Sequence, residues 1–184
     1  MKTTEFREYS TPEILQDLVE TTLLGESIRL RIKTPKGDVC RTVRGIDVGE
    51  TDAWKKIKSP ALIARHIPGL DSFTCPSIRV GTRITEQHGM FFGTNAYEGK
   101  LFHYDPKNMV WGMTNHPVQN NNSFDIPHNV VYSFNEQNAR VSIGVDYCAS
   151  GRLESFPSLG FLADFVARAS MRYAIRKVEK GLTN

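Results

Sequence analysis

Two runs of strand-forming residues flank a polar turn in the stretch NVVYSFNEQNARVSIGVDY, residues 129–147. Residues 129–134 and 140–147 are rich in Val, Ile, Tyr and Phe, which fit the pleated, half-buried surface of a sheet. The polar segment 135–138 between them is short enough to form a hairpin turn. This stretch therefore predicts a β-hairpin and, around it, an antiparallel sheet.

The chain before this hairpin has the same character from residue 72 onward. Its pattern predicts strands at 78–84, 90–95, 100–104 and 109–113, with turns at 96–99 and 105–108. The polar stretch 114–128 is the longest predicted loop. Consecutive short strands with turns between them are typical of a mainly antiparallel sheet.

The N-terminal part of the chain begins with a helix signal. Ser10-Thr11-Pro12-Glu13 combines a capping residue, an early proline and a glutamate at capping-box spacing. An apolar stripe at helical spacing follows it. Residues 27–33 and 39–46 then alternate as a further hairpin across the turn 35–38. The segments 51–58 and 59–66 predict short helices.

This order of elements predicts the fold class. The chain has 184 residues, of which 40% are hydrophobic and 23% charged, as in an ordinary globular protein. We predict a single α+β domain over residues 1–184. It would contain a mainly antiparallel sheet of about six to eight short strands, an N-terminal helix, a short helical insert and a long C-terminal helix. The missing β-α-β-α alternation argues against a Rossmann-type fold.

The C-terminal segment, residues 158–180, is predicted to be a long helix with a cationic ridge. Its cations recur every four residues and so stack on one side of a helix: Arg168, Arg172, Arg176 and Lys180. An adjoining apolar face is expected to pack on the rest of the chain: Leu159, Leu162, Phe165, Val166, Ala169 and Tyr173. From residue 158 onward the surplus of positive charge equals the +3 of the whole chain.

A second cationic surface is predicted on the first hairpin, where Arg29, Arg31 and Lys33 share one strand face, with Arg41 or Arg44 nearby across the hairpin. The two surfaces together predict contacts to an anion, a phosphate or an acidic partner. Each has a structural alternative, because cations stabilise the end of a helix and charge protects a sheet edge from aggregation. The binding hypothesis gains if both surfaces lie on the same side of the molecule.

The C-terminal helix also carries apolar residues away from its main apolar face, namely Phe161, Met171, Ile175 and Val178. A helix that is apolar on two sides is either buried between layers or shared with a partner. These four residues are therefore candidates for an interface. The alternative is that another element of the same chain, such as the N-terminal helix, covers them.

No common catalytic signature occurs in the sequence, and neither a metal site nor a cofactor is predicted. The remaining catalytic candidates are His103, Asp105, His116 and His128 around the polar loop, with Cys148 at a strand end. Such side chains could serve acid–base chemistry if they met in one pocket. The alternative is that Asp105 opens a turn and the histidines are scattered. Three widely spaced cysteines argue against a disulfide framework.

Three hypotheses on function follow. The first is a non-catalytic assembly or interaction module, one subunit of a larger complex such as a virion or other particle. The second is a nucleic-acid or phosphate-binding protein that uses the two cationic surfaces. The third is a small hydrolase or transferase with a His/Asp site. We expect a protein partner or self-association, no membrane, and a cytoplasmic location, or the virion if the protein is viral.

Overall fold

A computed structural model describes residues 9–35, 37–49, 52–58, 62, 70–90, 93–118, 127–148 and 160–183. Its helices are α1 (Pro12–Leu23), α2 (Ala53–Ile57) and α3 (Gly160–Thr183). Its strands are β1 (Ile28–Thr34), β2 (Gly37–Asp47), β3 (Leu70–Thr74), β4 (Arg83–Met90), β5 (Gly93–Asp105), β6 (Val110–Pro117), β7 (His128–Asn135) and β8 (Arg140–Cys148).

In this part of the chain the strands form one antiparallel sheet in the order β1-β2-β8-β7-β6-β5-β4-β3. The hairpin of residues 129–147 lies at its centre as β7 and β8, with Val131 opposite Gly144 and Asn135 opposite Arg140. β2 pairs with β8 and so attaches the first hairpin to the same sheet. The predicted α+β class, the antiparallel sheet and the three helices (N-terminal, short internal and long C-terminal) are confirmed.

One face of the sheet, here the α3 face, holds the main core. Trp111 is fully buried and stacks on Tyr132 with 4.8 Å between the ring centres. Its indole nitrogen donates a hydrogen bond to the carbonyl of Ile57 and so fastens α2 to the sheet. From α3, the residues buried in this core are Ile175, Val178 and Leu182.

The opposite face of the sheet, here the α1 face, is covered in part by α1. Leu18 and Val19 pack there against Val110 and Val131. The helix begins within the predicted signal, but its N-cap is Thr11 and not Ser10: the Thr11 hydroxyl accepts a hydrogen bond from the amide of Ile14, and proline follows it. Burial of this apolar stripe gives the helix its place on the sheet.

Among the described side chains, the expected apolar face of α3 is exposed, and its second apolar side is covered by the same chain, which is the alternative that the sequence left open; Leu159 and the side chains of Leu162 and Val166 lie outside the described part. Phe165, Ala169 and Tyr173 were expected to be buried, but all three are exposed, Phe165 by 67% and Tyr173 by 54%. Ile175 and Val178 are buried in the protein's own core instead. The reason is that their stripe continues at helical spacing to Leu182, beyond the predicted end of the helix.

Several strand boundaries also differ from the prediction. The turn expected at 96–99 is wrong, because β5 runs without a break from Gly93 to Asp105 and pairs with strands on both sides. Gly99 lies inside it, where a Cβ would be 1.5 Å from the carbonyl oxygen of Thr114. The glycine therefore permits close strand packing rather than a turn. β6 also extends to Pro117, into the predicted loop, whose residues 119–126 lie outside the described part.

Candidate functional site

A cleft of about 250 Å³ lies where the first hairpin meets α3 on the α3 face of the sheet. Strands β1, β2 and β8 form one wall and the middle of α3 forms the other. The residues lining it are Arg29, Leu30, Arg31, Cys40, Arg41, Thr42, Tyr147, Arg168, Arg172 and Ile175. The cleft thus brings together residues from three distant parts of the sequence.

Four arginines from the two predicted cationic surfaces meet at this cleft. Arg29 and Arg31 are two positions apart on β1, and alternation along a strand sends them to the same face. Arg168 and Arg172 are four positions apart on α3 and therefore stack on one side of the helix. All four are exposed at the surface. These members of the two predicted surfaces therefore lie on the same side of the molecule, an arrangement that favours the binding hypothesis.

The described lining of the cleft contains no acidic residue. Arg31 forms an ion pair outside this lining, because its Nη1 lies 3.3 Å from a carboxylate oxygen of Asp38 at the end of the hairpin. Guanidinium groups present planar, forked donors that match carboxylate and phosphate oxygens. Several cations at one cleft raise the local positive potential, and this attracts anions.

The floor of the cleft is less polar than its rim. Tyr147 and Ile175 are almost completely buried, with 3% and 5% of their surface exposed, and Cys40 is also buried. Tyr147 lies opposite Cys40 across the β2–β8 ladder, so both side chains reach the same face. An aromatic and aliphatic floor below a cationic rim suits a ligand with an apolar body and an acidic end.

The other predicted cationic residues do not line this cleft. Lys33, Arg176 and Lys180 are exposed and lie beyond it on the same two elements. Lys33 lies toward the hairpin turn, whereas Arg44, at the other end of the hairpin, forms an ion pair with Glu179 near the C-terminal end of α3, with its Nη2 3.1 Å from a carboxylate oxygen. This contact ties the sheet to the helix below the cleft.

The predicted His/Asp site is not assembled, because its members lie on different faces. His103 is opposite Gly112, and Gly112 is opposite Val131, which packs against α1. His128 is two positions before Val130, which belongs to the core on the α3 face. Cross-strand neighbours share a face and alternate residues reverse it. His103 and His128 are therefore on opposite faces of the sheet.

His116 also lies apart from both of them. It follows Asn115, which is opposite His128, so alternation sends His116 to the α1 face. Along that face it is four positions beyond Gly112, the partner of His103, a separation of about 13 Å. Burial lowers the pKa of His103, against the opposing charge of Asp105.

Asp105 has the structural role that the sequence left as an alternative. Its carboxylate accepts hydrogen bonds from the amides of Lys107 and Asn108 in the turn between β5 and β6. A further bond from the side chain of Asn108 is the main cause that lowers the pKa of Asp105. The residue therefore shapes a turn.

The side chains of some predicted site residues lie outside the part of the chain that the structure describes. Cys148 ends β8, but its side chain, like those of Phe161 and Met171, lies outside the described part of the structure. Among the side chains that are described, no cluster of three or more His, Cys, Asp or Glu is arranged to hold a metal ion. No described helix has the length and apolar character needed to cross a bilayer.

A larger cleft, of about 750 Å³, lies on another part of the molecule. It is bounded by the C-terminal end of α1 and by the turns that follow β5 and β7. Its charged lining is mixed, with Lys107 and Arg140 against Glu26 and Glu136. We regard the smaller cleft as the candidate site because its charges have one sign and converge.

No protein-family model and no curated protein matches the sequence. Solved structures with a similar fold include the Zhui aromatase/cyclase from Streptomyces sp. R1128, at 8% identity and a TM-score of 0.58, covering 79% of this chain and 90% of that chain. A protein from Thermus thermophilus matches at 14% identity and a TM-score of 0.56, covering 78% of this chain and 92% of that chain.

The di-domain aromatase/cyclase BexL from the BE-7585A biosynthetic pathway matches at 11% identity and a TM-score of 0.57. That match covers 89% of this chain and 52% of the longer protein. At these identities the likeness shows the fold alone. It places this chain's sheet and long helix in an arrangement known from other proteins.

Sequence reasoning missed the floor of the cleft. Tyr147 was assigned to a strand but not to a site, and Cys40 was considered only as a thiol. The available signal was strand alternation, which puts Tyr147 on the same face as Val145 and Ile143. What the pattern could not supply is the pairing of β8 with β2, which brings Tyr147 beside the first hairpin.

Proposed function

We propose that this protein binds small organic anions in the cleft between the first hairpin and α3. The acidic group of the ligand would lie among Arg29, Arg31, Arg168 and Arg172, and its apolar body would contact Tyr147. The observation that carries this proposal is the convergence of four arginines from two distant segments on one cleft whose described lining has no acidic residue.

The size of the cleft supports a small ligand over a polymer. Its volume of about 250 Å³ is below the range of roughly 300–1,000 Å³ that is usual for drug-sized ligands. A compound of one or two rings with a carboxylate or phosphate would be of suitable size. Two of the similar structures are of aromatase/cyclases, whose names describe chemistry on small organic molecules. A small organic ligand is in keeping with that shared fold.

The proposal is tested with 2-naphthoate, an aromatic carboxylate, by isothermal titration calorimetry. The double variant Arg168→Gln/Arg172→Gln removes two cations from the cleft and should weaken binding at least tenfold. The matched control, Arg176→Gln/Lys180→Gln, makes the same charge change on the same helix outside the cleft. It should alter the affinity by less than about twofold, because exposed charges beyond the cleft are screened by solvent and salt.

Two results would overturn this function. The first is an absence of 2-naphthoate binding by the unaltered protein at millimolar concentration. The second is an equal loss of affinity in both double variants, which would mean that overall charge matters and the cleft does not. In that case a single-stranded oligonucleotide, tested with the same variants over a range of salt, would probe the nucleic-acid alternative.

A second candidate function rests on the exposed side of α3. Phe165 and Tyr173 are large, largely exposed and two helical steps of four residues apart, with exposed Ala169 between them. Aromatic residues flanked by arginines are enriched at protein interfaces. We propose this strip as the contact of an interaction or assembly module, including a subunit of a larger particle.

Light scattering coupled to size-exclusion chromatography tests the self-association form of that second candidate. The unaltered protein should run as an oligomer, and Phe165→Ser/Tyr173→Ser should convert it to a monomer. Thr183→Ser, an exposed change at the end of the same helix, is the control and should leave the oligomer intact. A monomer before any substitution would remove self-association through this strip.

A further inference from the structure

Strand β1 forms one edge of the sheet. In the described part of the chain it stands at the end of the strand order and pairs with β2 alone. All seven of its residues are paired in one unbroken register. The opposite edge strand, β3, has five residues and an irregular register between Leu70 and Ser72. Short length and irregularity discourage a further strand from pairing with β3, whereas β1 is long and regular.

The backbone groups on the outer side of β1 belong to Arg29, Arg31 and Lys33. In an antiparallel sheet, only alternate residues direct their N–H and C=O groups toward a given neighbouring strand. The amide of Gly45 on β2 donates to the hydroxyl of Ser27, just before β1, at 3.3 Å, so the odd-numbered residues of β2 face β1. Their partners on β1 are its even-numbered residues. The odd-numbered residues of β1 therefore direct their backbone groups away from β2, toward the edge.

The side chains of β1 differ in character between the two faces of the sheet. Arg31 is opposite Cys40, on the α3 face, and alternation puts Arg29 and Lys33 on that face as well. All three cations are exposed. Leu30 is opposite Arg41, on the α1 face, and is 40% exposed. The residues of β1 on the α1 face are all apolar: Ile28, Leu30 and Ile32.

This distribution of charge restricts which strand can pair with the edge. Two copies of β1 side by side would bring cations opposite cations, which is unfavourable. A strand with carboxylates at alternate positions would instead place one opposite each cation, and its intervening apolar residues would cover Leu30. Because Arg31 is already paired with Asp38, at 3.3 Å, Arg29 and Lys33 would make the main charge contacts.

We propose that β1 binds an extended acidic peptide, which joins the sheet as an additional strand antiparallel to β1. Backbone hydrogen bonds to Arg29, Arg31 and Lys33 would supply affinity, and the alternation of acidic and apolar residues would supply selectivity. The proposal does not rest on the binding of small anions in the cleft. Arg29 and Arg31 belong to both surfaces, whereas Lys33 belongs to the edge alone.

The first test uses a peptide with blocked termini and seven residues, the length of β1, in which Val and Glu alternate. Isothermal titration calorimetry measures its affinity. The matched control has the same composition with its glutamates consecutive, so an extended chain cannot place all of them on one face. The control should bind about tenfold more weakly, which corresponds to about 1.4 kcal/mol.

A second pair of peptides separates strand addition from attraction between charges. In the proposed pairing the glutamates lie opposite the odd-numbered residues of β1, so the glutamate amides face β1 and the valine amides face away. N-methylation of the glutamate amides should abolish detectable binding, because it removes the donors of the new ladder. N-methylation of the valine amides leaves the charge and those donors unchanged and should weaken binding by less than about threefold.

Variants of the protein locate the site. Lys33→Glu replaces an attractive cross-strand pair with a repulsive one and should weaken binding of the alternating peptide at least about threefold. The control, Lys180→Glu, makes the same charge change at an exposed position of α3 and should keep the peptide affinity. Binding of 2-naphthoate should change by less than about twofold in Lys33→Glu, because Lys33 does not line the cleft.

The possible failures are distinguishable. No binding of the alternating peptide at millimolar concentration would overturn the proposal, and so would equal affinity for the peptide with consecutive glutamates. Equal effects of the two N-methylations, or of the two lysine substitutions, would show attraction by overall charge in place of strand addition. A protein that binds 2-naphthoate but not the peptide keeps the proposed function and loses this inference, and the reverse result separates them in the other direction.

Discussion

Arg41 and Arg31 lie on neighbouring paired strands, yet the molecule uses them in opposite ways. The side chain of Arg41 is 0% exposed, and its Nε and Nη2 each lie 2.8 Å from the carboxylate of Asp146. The side chain of Arg31 is 47% exposed at the rim of the cleft. The difference teaches that strand alternation, not residue type, decides whether an arginine is buried within the fold or exposed at the cleft.

Arg41 is the centre of a buried network on the α1 face. Besides Asp146, its guanidinium donates to the carbonyl of Ile14 at 3.0 Å and to the hydroxyl of Thr21 at 3.2 Å, and it also contacts Asp17. Burial raises the pKa of Asp146, while the bonds from Arg41 oppose that shift. The network joins α1 to the sheet, and so contributes to the stability of the fold.

The largest expected effect comes from the matched variants Arg41→Met and Arg31→Met. Arg41→Met leaves the buried carboxylate of Asp146 without its main partner, and should lower the free energy of unfolding by about 3–5 kcal/mol. Arg31→Met removes an exposed pair with Asp38 and should cost less than about 1 kcal/mol. Urea denaturation followed by circular dichroism measures both.

The same two variants should rank in the reverse order when their loss of ligand affinity is compared. Arg31→Met should weaken 2-naphthoate binding, whereas Arg41→Met, where it stays folded, should have the smaller effect. Equal losses of stability in the two proteins would mean that the two faces do not differ in the way we describe.

The next effect concerns the close contact between α1 and the sheet. A Cβ on Gly144 would lie 1.9 Å from Oγ1 of Thr22 and 3.0 Å from Cδ1 of Leu18. Gly144→Ala should therefore push α1 outward and destabilise the protein by about 1–3 kcal/mol.

The control for Gly144→Ala is Gln16→Ala, on the exposed side of the same helix, which should change stability by no more than about 0.5 kcal/mol. Thermal or urea denaturation of both proteins measures the difference. A neutral Gly144→Ala would show that α1 can shift on the sheet without loss.

Ionic strength should affect the exposed arginines of the cleft more than the buried Arg41, with an effect smaller than that of the substitutions above. Between about 0.05 and 0.5 M NaCl, the affinity for 2-naphthoate should fall several-fold, because exposed charges are screened. The stability difference between the unaltered protein and Arg41→Met should stay nearly constant, because buried pairs are screened much less. Calorimetry and denaturation at each salt concentration give both quantities. Salt-independent binding would argue against an exposed cationic rim.

The smallest expected effect is a pH dependence of the protein's stability, caused by His103 on the α1 face. Because burial lowers the folded-state pKa of His103, the unfolded chain takes up a proton first, near its ordinary pKa of about 6.5. Stability should therefore fall as the pH drops through that value, until the folded state is also protonated. His103→Gln should lose this part of the pH dependence, measured by denaturation between about pH 7.5 and 5. Identical curves for the two proteins would contradict it.

The fold could be predicted in most of its parts because its signals are local. The Thr11–Pro12 start of α1, the two hairpins and the helix carrying Arg168 depend on residues a few positions apart. The turn expected near Gly99 failed, since a glycine required by close strand contact looks the same in sequence as one required by a turn. The histidines could not be assigned to one face of the sheet or the other without the register of β5, β6 and β7.

By itself, the sequence determined which residues share a side: the alternation of Arg29 with Arg31 and the four-residue repeat of Arg168 with Arg172. These are properties of a strand and a helix and need no other part of the chain. Only the tertiary structure decided that the two pairs meet at one cleft, that Arg41 is buried, and that Ile175 faces inward while Phe165 faces out. The physical reason is that burial and strand register are set by contacts between residues far apart in the chain, and local patterns carry no record of them.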